Sequence, residues 1–280
     1  MKWAVLLAIL CVSLMAAGEG GSRQGFLLVA HRGVVTESLT ENSLGALEEA
    51  IRRGYTHVEV DVVCTKDGQA LCLHDRSLKR TTGVDRNADE VTLDELRELV
   101  SEDLVPSFEK FCQHSEGRMG LMVDLKGCPS HLTERFVASL TRSLDEHGLM
   151  DSALFIGKPH LMRRFLDRGK LCWRAPLANA RTRKLAKQNH RERYFVFNHA
   201  ADFDADEVDG FHAMGLSVIV SINTGHYKKS DPVQKGLEDV RRMIALGVDG
   251  LQIDAVYEEA VPRELFKRPQ SADAEKTKEE

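Results

Sequence analysis

Glu59 and Asp61 stand two residues apart in the run Val58-Glu59-Val60-Asp61-Val62. Side chains alternate along a strand, so both carboxylates share one face and the valines take the other. Two acids held side by side repel each other unless a positive group lies between them, and a hard divalent cation such as Ca2+ or Mg2+ meets that need. The competing reading is a structural ion network with Arg32 or Lys126; against it stands the cost of burying acids without a function. Asp124 and Lys126 repeat the two-residue spacing, with Asp124 placed to complete a metal shell and Lys126 to meet a phosphate oxygen. The plain alternative for that pair is a solvated salt bridge. His31 and His74 each follow a short apolar run. Imidazole titrates near neutral pH, so the two suit a general base and a general acid, although either one alone is as well explained by a hydrogen-bonded core role. Arg32 offers a planar fork that fits non-bridging phosphate oxygens or anchors neighbouring carboxylates.

Elements must bring these residues together. Short apolar runs at 26–30, 57–63, 70–73, 121–125, 153–156, 171–175, 194–197, 216–222 and 250–253 read as strands, with helical patterns between most of them. Helices are expected over 43–53, 93–99, 132–147, 159–168, 206–214 and 233–246, and Gly54, Gly148, Gly169, Gly215 and Gly247 follow helix ends. The βαβα order calls for a parallel sheet. Asp67-Gly68 is a hairpin signal, so the run 70–73 folds back on its predecessor and leaves eight parallel strands. The expected fold is α/β, a (β/α)8 TIM barrel with an insertion after strand two at about 65–113. Catalytic groups in such barrels stand at the C-terminal ends of strands, which is where His31, Arg32, Glu59, Asp61, His74, Asp124 and Lys126 fall.

The chain has 280 residues, 42% hydrophobic and 29% charged, enough for one sizeable core. A formal net charge of -5 supplies no basic field to gather a nucleic acid. Met1-Lys2, the apolar run from Trp3 to Ala17 and the small residues after it read as a signal peptide over 1–18 that is cleaved on export, so the protein is expected to be secreted or periplasmic. No later run is long and apolar enough for a membrane span. The barrel should occupy 24–266, and the Pro-, Lys- and Glu-rich stretch 267–280 should be a solvated tail. Cys64, Cys72, Cys112, Cys128 and Cys172 remain after the signal, without a C-x-x-C pair that would suggest zinc. An odd count at irregular spacing fits buried thiols at least as well as bridges, and if one bridge forms the hairpin makes Cys64 and Cys72 the pair to test.

His31-Arg32-Gly33, Thr40-Glu41-Asn42-Ser43, Val58 to Val62, Thr65-Lys66-Asp67-Gly68 and His74-Asp75, with Leu78, Arg80, Thr81 and Thr82 behind them, resemble the signature of the glycerophosphodiester phosphodiesterase family. The resemblance continues through Pro106, Asp124 to Lys126, Ser221 to Asn223 and Gly247-Val248-Asp249-Gly250 with Asp254. It implies a divalent metal held by Glu59, Asp61 and Asp124, acid-base catalysis by His31 and His74, phosphate contacts from Arg32 and Lys126, and Glu41 near the site. The implied substrate is a small glycerophosphodiester, cleaved to glycerol phosphate and an alcohol. Three positions depart from the family pattern: Asp124 where glutamate is usual, Thr40 for a proline, and Val220 for a tryptophan that would wall the substrate. Two rivals share the pocket: phospholipase D-like hydrolysis of lysophospholipids or sphingomyelin, and a non-catalytic exported protein that binds a polar headgroup. A binder has no need of two titrating imidazoles beside paired acids.

Overall fold

The computed structural model describes residues 25–227 and 231–266; the expected signal segment and the charged tail lie outside the described residues. The apolar runs form β1 (Leu27–Ala30), β2 (His57–Cys64), β3 (Ala70–Cys72), β4 (Gly120–Gly127), β5 (Leu154–Gly157), β6 (Lys170–Trp173), β7 (Tyr194–His199), β8 (Val218–Ile222) and β9 (Gly250–Ile253). All pair in parallel around a ring except β3, and β9 returns to β1, which also pairs with β2. The result is the expected closed barrel of eight parallel strands, with β3 as an antiparallel return on the end of β2.

Register places the chemistry. Asp61 lies opposite Asp124 in the β2–β4 pairing, and Glu59 lies opposite Met122. Aligned neighbours in a sheet share a face, so the acids point together into the barrel while Val58, Val60 and Val62 bury outward in the core between barrel and helices. The hairpin turns where Asp67-Gly68 predicts it: Gly68 has φ 84, its N–H donates to the Thr65 carbonyl at 3.0 Å, and Thr65 Oγ1 donates to Asp67 at 2.6 Å. The residues after β3 bury Leu73, Leu78, Val91, Leu96 and Val105 in a small core of their own. That core carries the hairpin and keeps His74 beside the barrel mouth.

The first barrel helix, Leu44–Arg53, starts at Ser43, whose side chain accepts from the Ala46 N–H at 3.1 Å, and stops at Gly54 in a left-handed cap. Leu44, Leu47, Ala50 and Ile51 form its buried stripe. A further helix, Phe108–Ser115, is capped by Ser107 and packs between the first helix and Thr133–Glu146. The segment expected as an insertion thus runs at its far end into a helix of the outer ring. The helix expected over 159–168 is instead a short turn of α-helix, Pro159–Met162, followed by a 3-10 turn, Arg163–Phe165. The tighter turn brings Phe165 onto Phe155, with ring centroids 4.2 Å apart. Another short helix, Ala180–Leu185, follows β6 and was not foreseen.

The proposed bridge between Cys64 and Cys72 is not present: all five described cysteines are free thiols. The ladder pairs Cys64 with Ala70 and Cys72 with Val62, which leaves the thiols on a diagonal of roughly 7–8 Å, too long for a disulfide. Among the described residues no helix is long and apolar enough to cross a membrane.

Candidate active site

At the C-terminal mouth of the barrel, one oxygen from each of Glu59, Asp61 and Asp124 lies within 4.8 Å of the others. Glu59 and Asp61 are buried, and the Asp61 side chain is 1% exposed, while Asp124 reaches the surface at 16%. Burial, then the charges of Asp61 and Asp124, push the Glu59 carboxyl well above its ordinary range. Burial also opposes the Asp61 charge, yet Lys126 and Arg32 outweigh it and hold that carboxyl low. Lys126 Nζ lies 2.8 Å from Asp61 Oδ1 and 2.5 Å from Asp124 Oδ2. The first contact lacks hydrogen-bond geometry, so Asp61 Oδ1 is buried with charge beside it and no hydrogen-bond partner among the described residues. Burial disfavours the Lys126 charge, but the two aspartates more than compensate and raise its pKa.

The loop after β1 supplies the opposite sign. Arg32 takes a left-handed backbone, φ 57, that aims its N–H at Glu59 Oε2 at 2.9 Å. Its guanidinium donates to Glu41 at 2.9 Å and comes within 3.1 Å of Asp61. Asn42, also left-handed at φ 58, clasps Asp61 twice: its amide donates to Oδ2 at 2.8 Å, and its Oδ1 accepts from the Asp61 N–H at 2.9 Å. Glu41 continues to Arg80 at 2.5 Å, and Arg80 to Asp75 at 2.5 Å. Burial opposes the Glu41 charge, but Arg80 and Arg32 hold it below its ordinary pKa.

Both histidines have their Nδ1 committed to a carboxylate. His31 Nδ1 lies 2.6 Å from Asp254 Oδ1, and Asp254 Oδ2 accepts from the Thr224 N–H at 2.7 Å. Burial works against the Asp254 charge; the His31 contact overrides it and lowers the carboxyl pKa. His74 Nδ1 lies 2.7 Å from Asp75, and the Leu73 N–H donates to the Asp61 carbonyl at 3.0 Å, which fixes His74 close to the acids. This pattern leaves Nε2 of each ring for other partners. All the residues singled out from the sequence therefore belong to one linked constellation. His31 joins it through the backbone of Arg32.

The sequence reading left Asp75, Asp254, Asn42 and Arg80 without roles. Asp254 follows the last strand, a strand end like the others, and Asp75 adjoins a histidine; those were the available signals. His199 and His226 were not foreseen either. They stand at the end of β7 and just beyond β8, with Nδ1 atoms 3.2 Å apart. Burial, then His199 and His31, lower the His226 pKa to about 4, so it is neutral.

The model of the glycerophosphoryl diester phosphodiesterase family matches residues 31–258. This chain belongs to that family. Among its curated relatives, a glycerophosphodiester phosphodiesterase of Caldanaerobacter subterraneus is 36% identical over 73 residues, covering 26% of this chain and 30% of the relative. The lysophospholipase D GDPD1 of Homo sapiens is 38% identical over 85 residues, 30% of this chain and 26% of the relative. Such alignments span less than half the length of the curated relatives. Whole-fold likeness extends further. A phosphodiesterase of Oleispira antarctica, solved with the product sn-glycerol-3-phosphate, superposes with a TM-score of 0.64 at 22% identity, over 85% of this chain and 94% of that one. A glycerophosphodiester phosphodiesterase of Agrobacterium tumefaciens gives 0.67 at 18% identity, over 84% and 100%. At these identities the structures establish the shared barrel.

Proposed function

We propose that this chain hydrolyses glycerophosphodiesters to glycerol phosphate and an alcohol, with a divalent cation bound by Glu59, Asp61 and Asp124. The observation that carries the reading is the acid trio lying in one constellation with two histidines whose Nδ1 atoms are each held by a carboxylate. The donor set fits a hard ion: it is all oxygen, Glu59 is costly as an anion without a cation beside it, and Asp61 Oδ1 has no hydrogen-bond partner. Ca2+ and Mg2+ both suit such ligands. When bound, the ion supplies charge neutralisation of the phosphate and polarises it toward attack.

The chain's own residues do the rest. Arg32 and Lys126 border the trio with charges that suit the diester's non-bridging oxygens. One histidine takes a proton from the nucleophile, which is water or the substrate's own glycerol hydroxyl, as its oxygen bonds to phosphorus. The other gives a proton to the alcohol oxygen as its bond to phosphorus breaks. Asp254 and Asp75 hold the rings in the tautomer that keeps Nε2 available. His74 and Lys126 line a cavity of about 650 Å³ beside the trio, roomy enough for a small diester.

Comparing glycerophosphocholine, lysophosphatidylcholine and a generic diester, with and without Ca2+ or Mg2+, tests the reading. Metal-dependent cleavage of glycerophosphocholine, abolished by His31→Ala and by His74→Ala in folded protein, is the expected result. Preference for lysophosphatidylcholine would move the assignment to a lysophospholipase D activity, and binding without turnover would make the protein a headgroup binder.

A further inference from the structure

Two seams of the barrel wall near the trio are short, β1–β2 and β5–β6, each paired at two positions, and the second parts above its pairs. β5 and β6 pair only through Leu154 with Lys170 and Phe155 with Leu171, whereas β4 and β5 pair over four positions. Above that level Ile156 and Gly157 stay with β4, opposite Asp124 and Leu125, while Cys172 and Trp173 stay with β7. A cleft of about 290 Å³ lies against the residues at this parting, and its walls include Gly157, Met162 and Trp173. One wall residue adjoins the acids: a Cβ on Gly157 would run into the Asp124 carboxylate.

Arg163, Arg174 and Arg181 converge on this cleft. None of them forms an ion pair with a carboxylate among the described residues, in a chain whose net charge is -5. Neighbours in sequence behave otherwise. Arg164 donates to Glu134 at 2.6 and 2.8 Å, and Arg168 to Asp145 at 2.6 and 2.9 Å. Aromatic rings position two of the cleft arginines: Arg174 lies 5.1 Å above Phe197 and Arg181 5.8 Å above Trp173. The Trp173 indole is itself fixed, donating to Thr182 Oγ1 at 2.9 Å. Arg174 also meets the Cys172 thiol, but with no carboxylate beside them the three guanidinium groups keep their charge for an anion that arrives from outside.

Resting on the proposed reaction, we infer that this cleft is a second anion subsite and that the preferred diesters carry a further phosphate or carboxylate on the alcohol side. The glycerol half has only hydroxyls to offer, so the variable alcohol is the part that can bring a second charge. A volume near 290 Å³ takes one headgroup, and the arginines at its walls disfavour an acyl chain.

The test is a ratio of kcat/KM values: a glycerophosphoinositol phosphate and glycerophosphoserine, whose alcohols carry a phosphate or a carboxylate, each against glycerophosphoglycerol, whose alcohol is uncharged. The first two distinguish phosphate from carboxylate. The expected ratio for at least one anionic substrate is tenfold or more in its favour, and Arg163→Gln with Arg181→Gln should reduce it at least tenfold, through KM rather than kcat. Arg164→Gln, outside the cleft, should leave it unchanged. All these positions are exposed, so the variants should fold, and Arg181→Glu should lower the ratio further. Cleavage of glycerophosphoglycerol with no anionic preference, or with a preference that survives the double substitution, overturns the subsite and leaves the proposed reaction standing. No cleavage of any diester overturns both.

Discussion

In the proposed mechanism Asp254 sets how His31 acts. A carboxylate 2.6 Å from Nδ1, itself fixed by the Thr224 N–H, sets both the tautomer and the angle of the ring. Asp254→Asn keeps the shape and removes the charge, so kcat on glycerophosphocholine should fall by roughly 10²-fold or more with little change in KM, as expected when an orienting partner of a general acid-base group is lost. A change confined to KM would show that Asp254 serves binding instead. At this scale the sequence was legible where residue type and spacing already imply chemistry: Glu59 with Asp61, Asp124 with Lys126, and two histidines after strands. Supporting residues were harder to see. Asn42 and Arg80 matter through contacts 19 and 39 residues away along the chain, and no local pattern announces a contact of that span.

β3 makes the same point for elements. The turn at Asp67-Gly68 was readable because a left-handed residue in a tight hairpin selects glycine, and the structure gives Gly68 φ 84 with Arg135 packed against the place of a Cβ. Gly68→Ala should therefore cost about 1–2 kcal/mol from the left-handed backbone alone, more if Arg135 cannot move aside. Because the turn delivers His74, activity should fall further than stability; denaturant midpoints and initial rates measured together will separate the two. The helix Phe108–Ser115 is not legible in the sequence because it is only eight residues long and lies mostly within the segment that reads as an insertion. Its partner contact offers a pH test. Burial opposes the charge on His147 at the end of Thr133–Glu146, but Glu116 at 2.8 Å and Glu109 at 3.2 Å win and raise its pKa. A raised histidine stabilises fully below its unfolded value, about 6.5, and that contribution is lost as pH climbs through the folded value. His147→Gln should thus lower the urea midpoint at about pH 5.5, by less than ~1 kcal/mol for such exposed glutamates, and have no effect at about pH 9. A deficit that is the same at both values would assign the residue a packing role only.

For the molecule as a whole, the alternation of apolar runs and helical patterns, with one hairpin removed from the count, led directly to the closed barrel. Pattern is a strong guide to such a fold because every strand and every helix buries one face in the same layered core. It says nothing about where the wall opens. The parting of β5 from β6 depends on two strands diverging after Leu171, a matter of packing between distant segments, and the arginines that gather there look in sequence like ordinary surface charge. Beside the acid trio, which suits a cation, stand Arg32 and Lys126, which suit the anion of a phosphodiester. The proposed metal-dependent phosphodiester hydrolysis would use both. The most direct test is release of glycerol phosphate from glycerophosphocholine by the purified protein after chelation and after return of Ca2+ or Mg2+, alongside Glu59→Gln. Turnover should vanish on chelation, return with one of the ions, and stay absent in Glu59→Gln at any ion concentration. Full activity in excess chelator, or a Glu59→Gln protein that works as well as its parent, would contradict the account.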